Sequence, residues 1–254
     1  MGEKTGINYV HHTWNSWQGC NKISPGCAHC YMFTAQYRMG MDPETVVRCK
    51  TWGDPLRWQK RAAAAGITER VLTCSWSDFF HPAADEWRPD AWKVIRDCPN
   101  LTFLILTKRP EFISPLSHGR YPVMGMEDLP PDWGRGYPNV WLGVSVETPR
   151  FLFRMDILRT IPARVRFISA EPLLAPLSKV NLDRFDWVIV GGESGRGFRP
   201  MDHAWAREIR EQCHAAGKAF FFKQSAALRP GMGTLLDGKE YKEYPTQAGQ
   251  EAIR

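Results

Sequence analysis

The sequence has no apolar run approaching the ~18 consecutive residues that a membrane span requires, and residues 1–12 carry no apolar segment of the kind that directs secretion. A cytoplasmic protein with no membrane partner is therefore expected. Gly2 does not open a myristoylation signal, because Gly6 stands where Ser or Thr is needed. There is no G-x-S-x-G, which excludes a nucleophile-elbow hydrolase, and no G-x-x-x-x-G-K-[ST], which excludes a P-loop. No low-complexity linker divides the 254 residues, a length that suits one α/β barrel as well as two small domains. An acidic excess is also missing. Lys and Arg number 33 against 27 Asp and Glu, and the net charge of +6 suits an anionic partner such as nucleic acid, a nucleotide or a phosphate. The seven cysteines are odd in number and carry no secretory context, so they do not form a disulfide framework. What is plentiful is apolar material: 43 % hydrophobic residues, with 11 Trp, exclude disorder and supply a core.

From residue 70 onward, short β-rich runs alternate with helical patterns. The runs 71–76, 101–106, 140–146, 165–168, 187–190 and 219–222 are apolar at successive positions, which suits strands buried on both faces in a parallel sheet. Helical spacing covers 89–98, 149–160 and 202–216, the last ending at Gly217 as a C-cap. A strand near 9–13, a helix over 29–39 and a strand near 46–49 complete seven or eight units. The expected fold is α/β, a parallel (β/α) barrel, complete or partial, over residues 1–226. Residues 121–138 read as a long loop, and 227–254 as a polar C-terminal tail.

Each strand is followed by polar residues: Ser75, Ser77 and Asp78; Thr107, Lys108 and Arg109; Ser145 and Glu147; Ser169 and Glu171; Glu193 and Ser194; Lys223 and Gln224. In a parallel barrel these ends converge on one mouth, where such folds place their chemistry. Glu147, Glu171 and Lys223 are the expected catalytic residues. Ser75, Asp78, Lys108, Ser145, Ser169 and Glu193 are the expected cofactor contacts.

Cys20, Cys27 and Cys30 form a C-x6-C-x2-C motif in which Pro25-Gly26 supplies a turn that folds the chain back. Three thiolates at this spacing suit an iron–sulfur cluster or zinc. Zinc in a structural site needs a fourth ligand, for which His29, His11 and His12 are nearby. Without a fourth ligand, the set fits a cluster with one open iron.

Six blocks, in order, carry a more specific likeness. They are Thr13-Trp14-Asn15-Ser16-Trp17-Gln18-Gly19-Cys20 with Pro25-Gly26-Cys27-Ala28-His29-Cys30-Tyr31; Leu106-Thr107-Lys108-Arg109-Pro110; Trp141-Leu142-Gly143-Val144-Ser145-Val146-Glu147; Ser169-Ala170-Glu171-Pro172-Leu173-Leu174; Val188-Ile189-Val190-Gly191-Gly192-Glu193-Ser194-Gly195; and Phe221-Phe222-Lys223-Gln224. Over residues 8–224 the chain resembles the phage-borne three-cysteine-motif family, whose members are regarded as radical-SAM-like barrel proteins. The resemblance implies a [4Fe-4S] cluster on Cys20, Cys27 and Cys30, with S-adenosylmethionine on the fourth iron. Its reductive cleavage would give a 5′-deoxyadenosyl radical, and the electron would come from an external donor such as flavodoxin or ferredoxin. The chain departs from the usual radical-SAM C-x3-C-x2-C spacing. Its Gly191-Gly192-Glu193 ends a late strand, so the methionine-binding role of such a motif is not transferred. It also has Lys223-Gln224-Ser225-Ala226 where relatives continue Lys-Gln-Trp-Gly.

Other features admit two readings each. The stretch Gly191 to Gly197, with Arg196 and Arg199, can cradle an anion or simply form a turn. Lys108 and Arg109 can clamp a phosphate or pair with Glu147 or Glu171. Trp14, Trp17, Trp52, Trp58 and Trp76 can stack on a base or fill the core. The sequence reading is an iron–sulfur enzyme that modifies or repairs a nucleobase in nucleic acid or a nucleotide. Its alternatives are a metal-stabilised nucleic-acid-binding module and a peptide-modifying radical enzyme.

Overall fold

The computed structural model describes residues 5–113 and 129–246. Its nine strands are β1 (His12–Trp14), β2 (Trp17–Gln18), β3 (Val47–Arg48), β4 (Glu69–Thr73), β5 (Leu101–Thr107), β6 (Val140–Ser145), β7 (Val165–Ala170), β8 (Trp187–Gly191) and β9 (Ala219–Gln224). The helices are α1 (Tyr31–Arg38), α2 (Asp54–Ala65), α3 (Arg88–Arg96), α4 (Phe153–Thr160) and α5 (His203–Ala215). Seven strands form one sheet in the order β1-β4-β5-β6-β7-β8-β9, with every pairing parallel. Spatial order follows chain order, so right-handed crossovers place the helices on one face. β1 and β9 end the sheet without pairing to each other, and the structure is an open half-barrel.

Two expectations are corrected here. The 46–49 strand is not a barrel unit: β3 pairs antiparallel with β2 in a separate two-stranded sheet. Helix α2 lies where no helix was expected. Pro55 in its first turn and left-handed Gly66 at its C-cap (φ 64°) fix its ends. Among the described residues no helix is long and apolar enough to cross a membrane. Of the loop expected at 121–138, residues 121–128 lie outside the described residues, as do 247–254 of the expected tail. Residues Trp133 and Tyr137 of that loop are buried against Trp92 of α3.

The sheet's outer face packs Val71, Phe103, Ile105, Val144, Ile168, Val188 and Phe222 against Trp58, Trp92, Ile95, Leu158 and Ile209 of the helices. The inner face holds a second core of Leu72, Leu104, Trp141, Phe167, Trp187, Ile189 and Phe221, closed by Tyr9 and Tyr244. Trp187 is its centre, with ring centroids of Tyr9, Trp141, Phe167, Phe221 and Tyr244 within 6 Å, at 5.8, 5.8, 5.9, 5.9 and 5.3 Å. Gly143 is required in this layer, because a Cβ there would lie 2.3 Å from the Phe167 ring. Tyr244 comes from the C-terminal segment, which lies antiparallel along β9: the Phe222 amide donates to the Tyr241 carbonyl at 2.9 Å, and Phe221 bridges Lys242.

Side chains alternate along a strand, so the inner face can be followed upward in steps of two. Gly143 is followed by Ser145, Phe167 by Ser169 and Glu171, Ile189 by Gly191, and Phe221 by Lys223. The face changes from aromatic at the N-terminal end to polar at the C-terminal end.

Candidate functional site

The three-cysteine loop lies across the C-terminal ends of the strands, and side chains from those ends hold it there. Gly19 at its start donates to the Trp76 carbonyl at 3.1 Å, and its own carbonyl accepts from Ser77 Oγ at 2.5 Å. Pro25–Cys27 forms one turn of 3-10 helix closed by the Cys27 amide on the Ser24 carbonyl, which is the turn expected from Pro25-Gly26. Cys30 then caps α1.

Glu147, fully buried at the end of β6, forms the first anchor. Its Oε1 accepts from Ser24 Oγ at 2.6 Å and pairs with Lys108, and its Oε2 accepts from Arg154 of α4 at 3.0 Å. Burial alone would raise its carboxyl pKa, but Lys108, Ser24 and Arg154 more than offset this and hold it below the ordinary value. The loop backbone rests directly on this carboxylate: a Cβ on Gly26 would lie 2.5 Å from Oε1.

Glu193 after β8 forms the second anchor. Arg199 reaches it through its backbone amide at 2.8 Å and its guanidinium at 3.0 and 2.5 Å, while His29 Nδ1 lies 2.9 Å away. The same guanidinium donates to the Pro25 carbonyl at 2.9 Å. Burial would raise the Glu193 carboxyl, yet the Arg199 contacts and His29 bring it down to about 2. Of the two readings of the Gly191 to Gly197 stretch, these contacts bear on the anion cradle: Arg199 is engaged by the chain's own Glu193. Smaller contacts hold Asn21, whose Oδ1 meets His81 Nε2 at 2.8 Å and whose carbonyl accepts from buried Arg109 at 3.4 Å.

These contacts sort the expected site residues into two groups. Asp78, Glu147 and Glu193 are engaged in holding backbone and loops. Asp78 accepts from Thr107 Oγ1 (2.7 Å), the Lys108 amide (2.8 Å) and the Phe80 amide (3.0 Å). Lys108 pairs with Glu147. Ser75 donates to Asn15 Oδ1 at 3.3 Å, and its carbonyl accepts from Tyr31 at 2.8 Å. The second group lies on the inner face. Ser145 and Ser169 are register partners on β6 and β7. Ser169 Oγ donates to Glu171 Oε1 at 3.1 Å, and Glu171 Oε2 pairs with Lys223 at 2.7 Å. Both members of that ion pair are part-exposed, and Lys223 lies 5.6 Å over the Tyr9 ring.

Of the two readings of the tryptophans, core filling holds for Trp14, Trp17 and Trp58, which are almost wholly buried in the outer core and offer no face for a base. Trp52 is covered by the Arg48 guanidinium at 3.9 Å. Sequence reasoning missed Ser24, Tyr31 and Arg154. Ser24 precedes the Pro-Gly turn and Tyr31 follows Cys30, which are usable signals. Arg154 gives none, since it sits on the buried face of an ordinary-looking helix.

All three loop cysteines are free thiols. Burial, with Asp78 adding to it, pushes Cys20 up to about 12 against the opposing pull of Arg109. Burial also raises Cys30, opposed by the Met32 and Phe33 amides at the start of α1 and by Lys108. Among the described residues no three His, Cys, Asp or Glu side chains stand as a group that could hold a metal ion. The residue types, three cysteines in one loop, are those of a soft metal centre, and Arg109 beside Cys20 and Lys108 with the α1 amides beside Cys30 partly offset the burial that disfavours their thiolates. A tetrahedral zinc site is poorly served. His11 and His12 turn to the N-terminal start of β4, where His11 Nδ1 accepts from the Arg70 amide and His12 pairs with Glu69, and His29 is held by Glu193.

Fold and site together define the class: an open parallel (β/α) half-barrel with a three-cysteine loop anchored across its C-terminal mouth. The chain belongs to the family described as Protein of unknown function (DUF5131), whose model matches residues 4–245. No curated protein and no solved structure matches it.

Proposed function

We propose that the protein is a radical-SAM-like iron–sulfur enzyme, of the phage-borne three-cysteine kind, that acts on a nucleobase in nucleic acid or in a nucleotide. One observation carries this reading. The loop bearing Cys20, Cys27 and Cys30 is held by Glu147 and Glu193 over a concave face whose last side chains include the Ser169, Glu171 and Lys223 group. Cys20, Cys27 and Cys30 would hold a [4Fe-4S] cluster, with the convergence of their sulfurs a part of the proposal. Such a cluster would supply the one electron needed for reductive cleavage of the sulfonium of S-adenosylmethionine.

The chain's own residues do the rest. Glu147 and Glu193 hold the loop through Ser24, His29 and, via Arg199, Pro25. Lys223 offers a proton-bearing cation and Glu171 a carboxylate at the mouth, so together they bind and orient a ligand carrying both charges. Ser145 and Ser169 offer hydroxyls on the same face. A base would reach a site at this mouth only when flipped or single-stranded. The +6 net charge supports an anionic substrate.

Anaerobic reconstitution tests the reading. The protein should turn brown, contain iron and sulfide, and form 5′-deoxyadenosine when reduced with S-adenosylmethionine. Cys20→Ala, Cys27→Ala and Cys30→Ala should each bleach it, and Cys213→Ala should not. Stoichiometric zinc without iron would replace this reading with that of a metal-stabilised binding module. Single-stranded oligonucleotides should outcompete duplex, with affinity that falls as salt rises.

A further inference from the structure

We infer that the sector of the mouth framed by the cysteine loop and the loops after β6, β8 and β9 is a track for single-stranded nucleic acid, so that the substrate base belongs to a strand and not to a free nucleotide. This rests on the nucleobase half of the proposed function, and it requires no metal. Contacts join the loops into one surface. Ser24 of the cysteine loop donates to Glu147 after β6 at 2.6 Å, and the Pro25 carbonyl accepts from Arg199 after β8 at 2.9 Å. The loops after β8 and β9 are tied by the Gly195 amide on the Ala227 carbonyl and the Ala227 amide on the Glu193 carbonyl, both at 3.0 Å.

Exposed charge on this surface has one sign. Segments 21–31, 148–152, 194–201 and 225–235 contain no Asp and no Glu, and they expose Lys22, Arg150, Arg196 and Arg229, one cation from each. None of these four forms an ion pair among the described residues. Lys22 donates only to the Ala28 carbonyl at 3.5 Å and lies 4.8 Å over the Phe33 ring, so its charge is unmatched. Arg199, in the same segment as Arg196, is engaged by Glu193. Exposed Glu86, in the loop after β4, bounds the sector on that side. The opposite end of the sheet is mixed, exposing Asp97, Asp132 and Asp183 together with Arg135, Arg164 and Arg184. The mouth is positive by placement and not merely by composition.

Cations on four separate loops exceed what one phosphate can use. A strand carries a phosphate at every nucleotide, so a strand laid across the mouth meets several of them in succession. Exposed rings supply the second element of strand binding. Tyr31 is fixed by its hydroxyl on the Ser75 carbonyl at 2.8 Å, and Phe198 by its amide on the Gly195 carbonyl at 3.2 Å. Every base has a π-face, so rings beside a positive groove hold a single strand without regard to its sequence. In a duplex those faces are stacked and out of reach.

The experiment is a fluorescence-anisotropy titration of the full-length protein with a labelled oligothymidylate of roughly 15 nucleotides, before and after iron–sulfur reconstitution. With each of the four cations neutralising one phosphate, affinity should fall about 50-fold between about 50 and about 200 mM salt. Arg196→Gln with Arg229→Gln should reduce that fall to about sevenfold. Arg135→Gln with Arg184→Gln removes the same charge from the opposite end and should leave it unchanged. Phe198→Ala should weaken the strand about fivefold or more and leave an abasic strand of equal length unaffected. An unchanged salt dependence in the Arg196, Arg229 variant, or an equal change in the Arg135, Arg184 variant, overturns the track. So does equal weakening of both strands by Phe198→Ala. Equal binding of polyglutamate would replace the strand with an acidic protein, and equal competition by thymidine monophosphate would replace it with a free nucleotide. Strand binding retained in protein that forms no cluster and no 5′-deoxyadenosine counts against the proposed enzyme and leaves the track standing. Cluster and product without strand binding count against the track and leave the enzyme standing.

Discussion

The inner face of the half-barrel is built by the same strands at both its ends, yet the two ends are held by opposite means. At the N-terminal floor, Trp187 meets Tyr9, Trp141, Phe221 and Tyr244 edge-on or tilted, and stabilisation comes from burying ring surface. At the C-terminal mouth, Glu147 and Glu193 are buried carboxylates met by Lys108, Arg154, Arg199 and His29. A buried ion pair gains little net stability over an apolar pair, but removing one member is costly because the other is left unpaired. The floor therefore supplies stability, and the mouth supplies one fixed position for the cysteine loop.

The sharpest way to break the comparison is at the floor. Trp187→Ala removes the ring that five others contact and should cost about 3–5 kcal/mol, read as a global shift in a urea unfolding curve. At the mouth, Glu147→Gln keeps the shape but leaves Lys108 and Arg154 without their counter-charge. Its cost should sit at the lower end of the ~3–5 kcal/mol found when a buried pair loses one partner. The distinguishing signature is local: Cys27 in the variant should react faster with iodoacetamide under native conditions, while in the Trp187 variant reactivity should rise only with global unfolding. Equal protection of Cys27 in wild type and Glu147→Gln would remove the anchoring role.

Acid separates the two ends without mutation. Ionised Glu193, lowered from 4.5 to about 2, favours the seated loop above the ordinary value. This contribution is lost as pH falls from 4.5 towards 2. Amide exchange over 19–30 should accelerate in that window before the floor strands lose protection. Simultaneous loss in both regions would contradict the separation.

The floor was far more legible in sequence than the mouth. Strands β4 to β9 show as runs apolar at successive positions because both faces of the sheet are covered. Helix α2 also carries a helical signal, Pro55, Trp58 and Ala62 recurring at i, i+3 and i+7, which the expected fold left out. At the mouth the residue types were visible at the strand ends, but their partners were not. Glu147 finds Ser24 across 123 residues and Glu193 finds His29 across 164. No periodicity encodes such pairings, so two groups read as catalytic or cofactor-binding prove to be engaged as anchors for the cysteine loop.

The smallest expected change in stability is also the one that separates an anchor from a working group. Glu171 resembles Glu147 in that each follows a strand and each is paired with a lysine. Glu147 is sealed between two cations, whereas Glu171 and Lys223 are both part-exposed, and water can take over either charge when the other is removed. Glu171→Gln should therefore shift stability by no more than about 0–1 kcal/mol, the range of solvent-accessible pairs, and leave Cys27 alkylation unchanged. If the pair orients a ligand at the mouth, the same variant should weaken S-adenosylmethionine binding or 5′-deoxyadenosine formation at least tenfold in reconstituted protein. A variant that is destabilised as much as Glu147→Gln would make Glu171 a third anchor. One that is stable and fully active would move the working site away from β7 and β9, to the side of the mouth bounded by Ser75 and Tyr31.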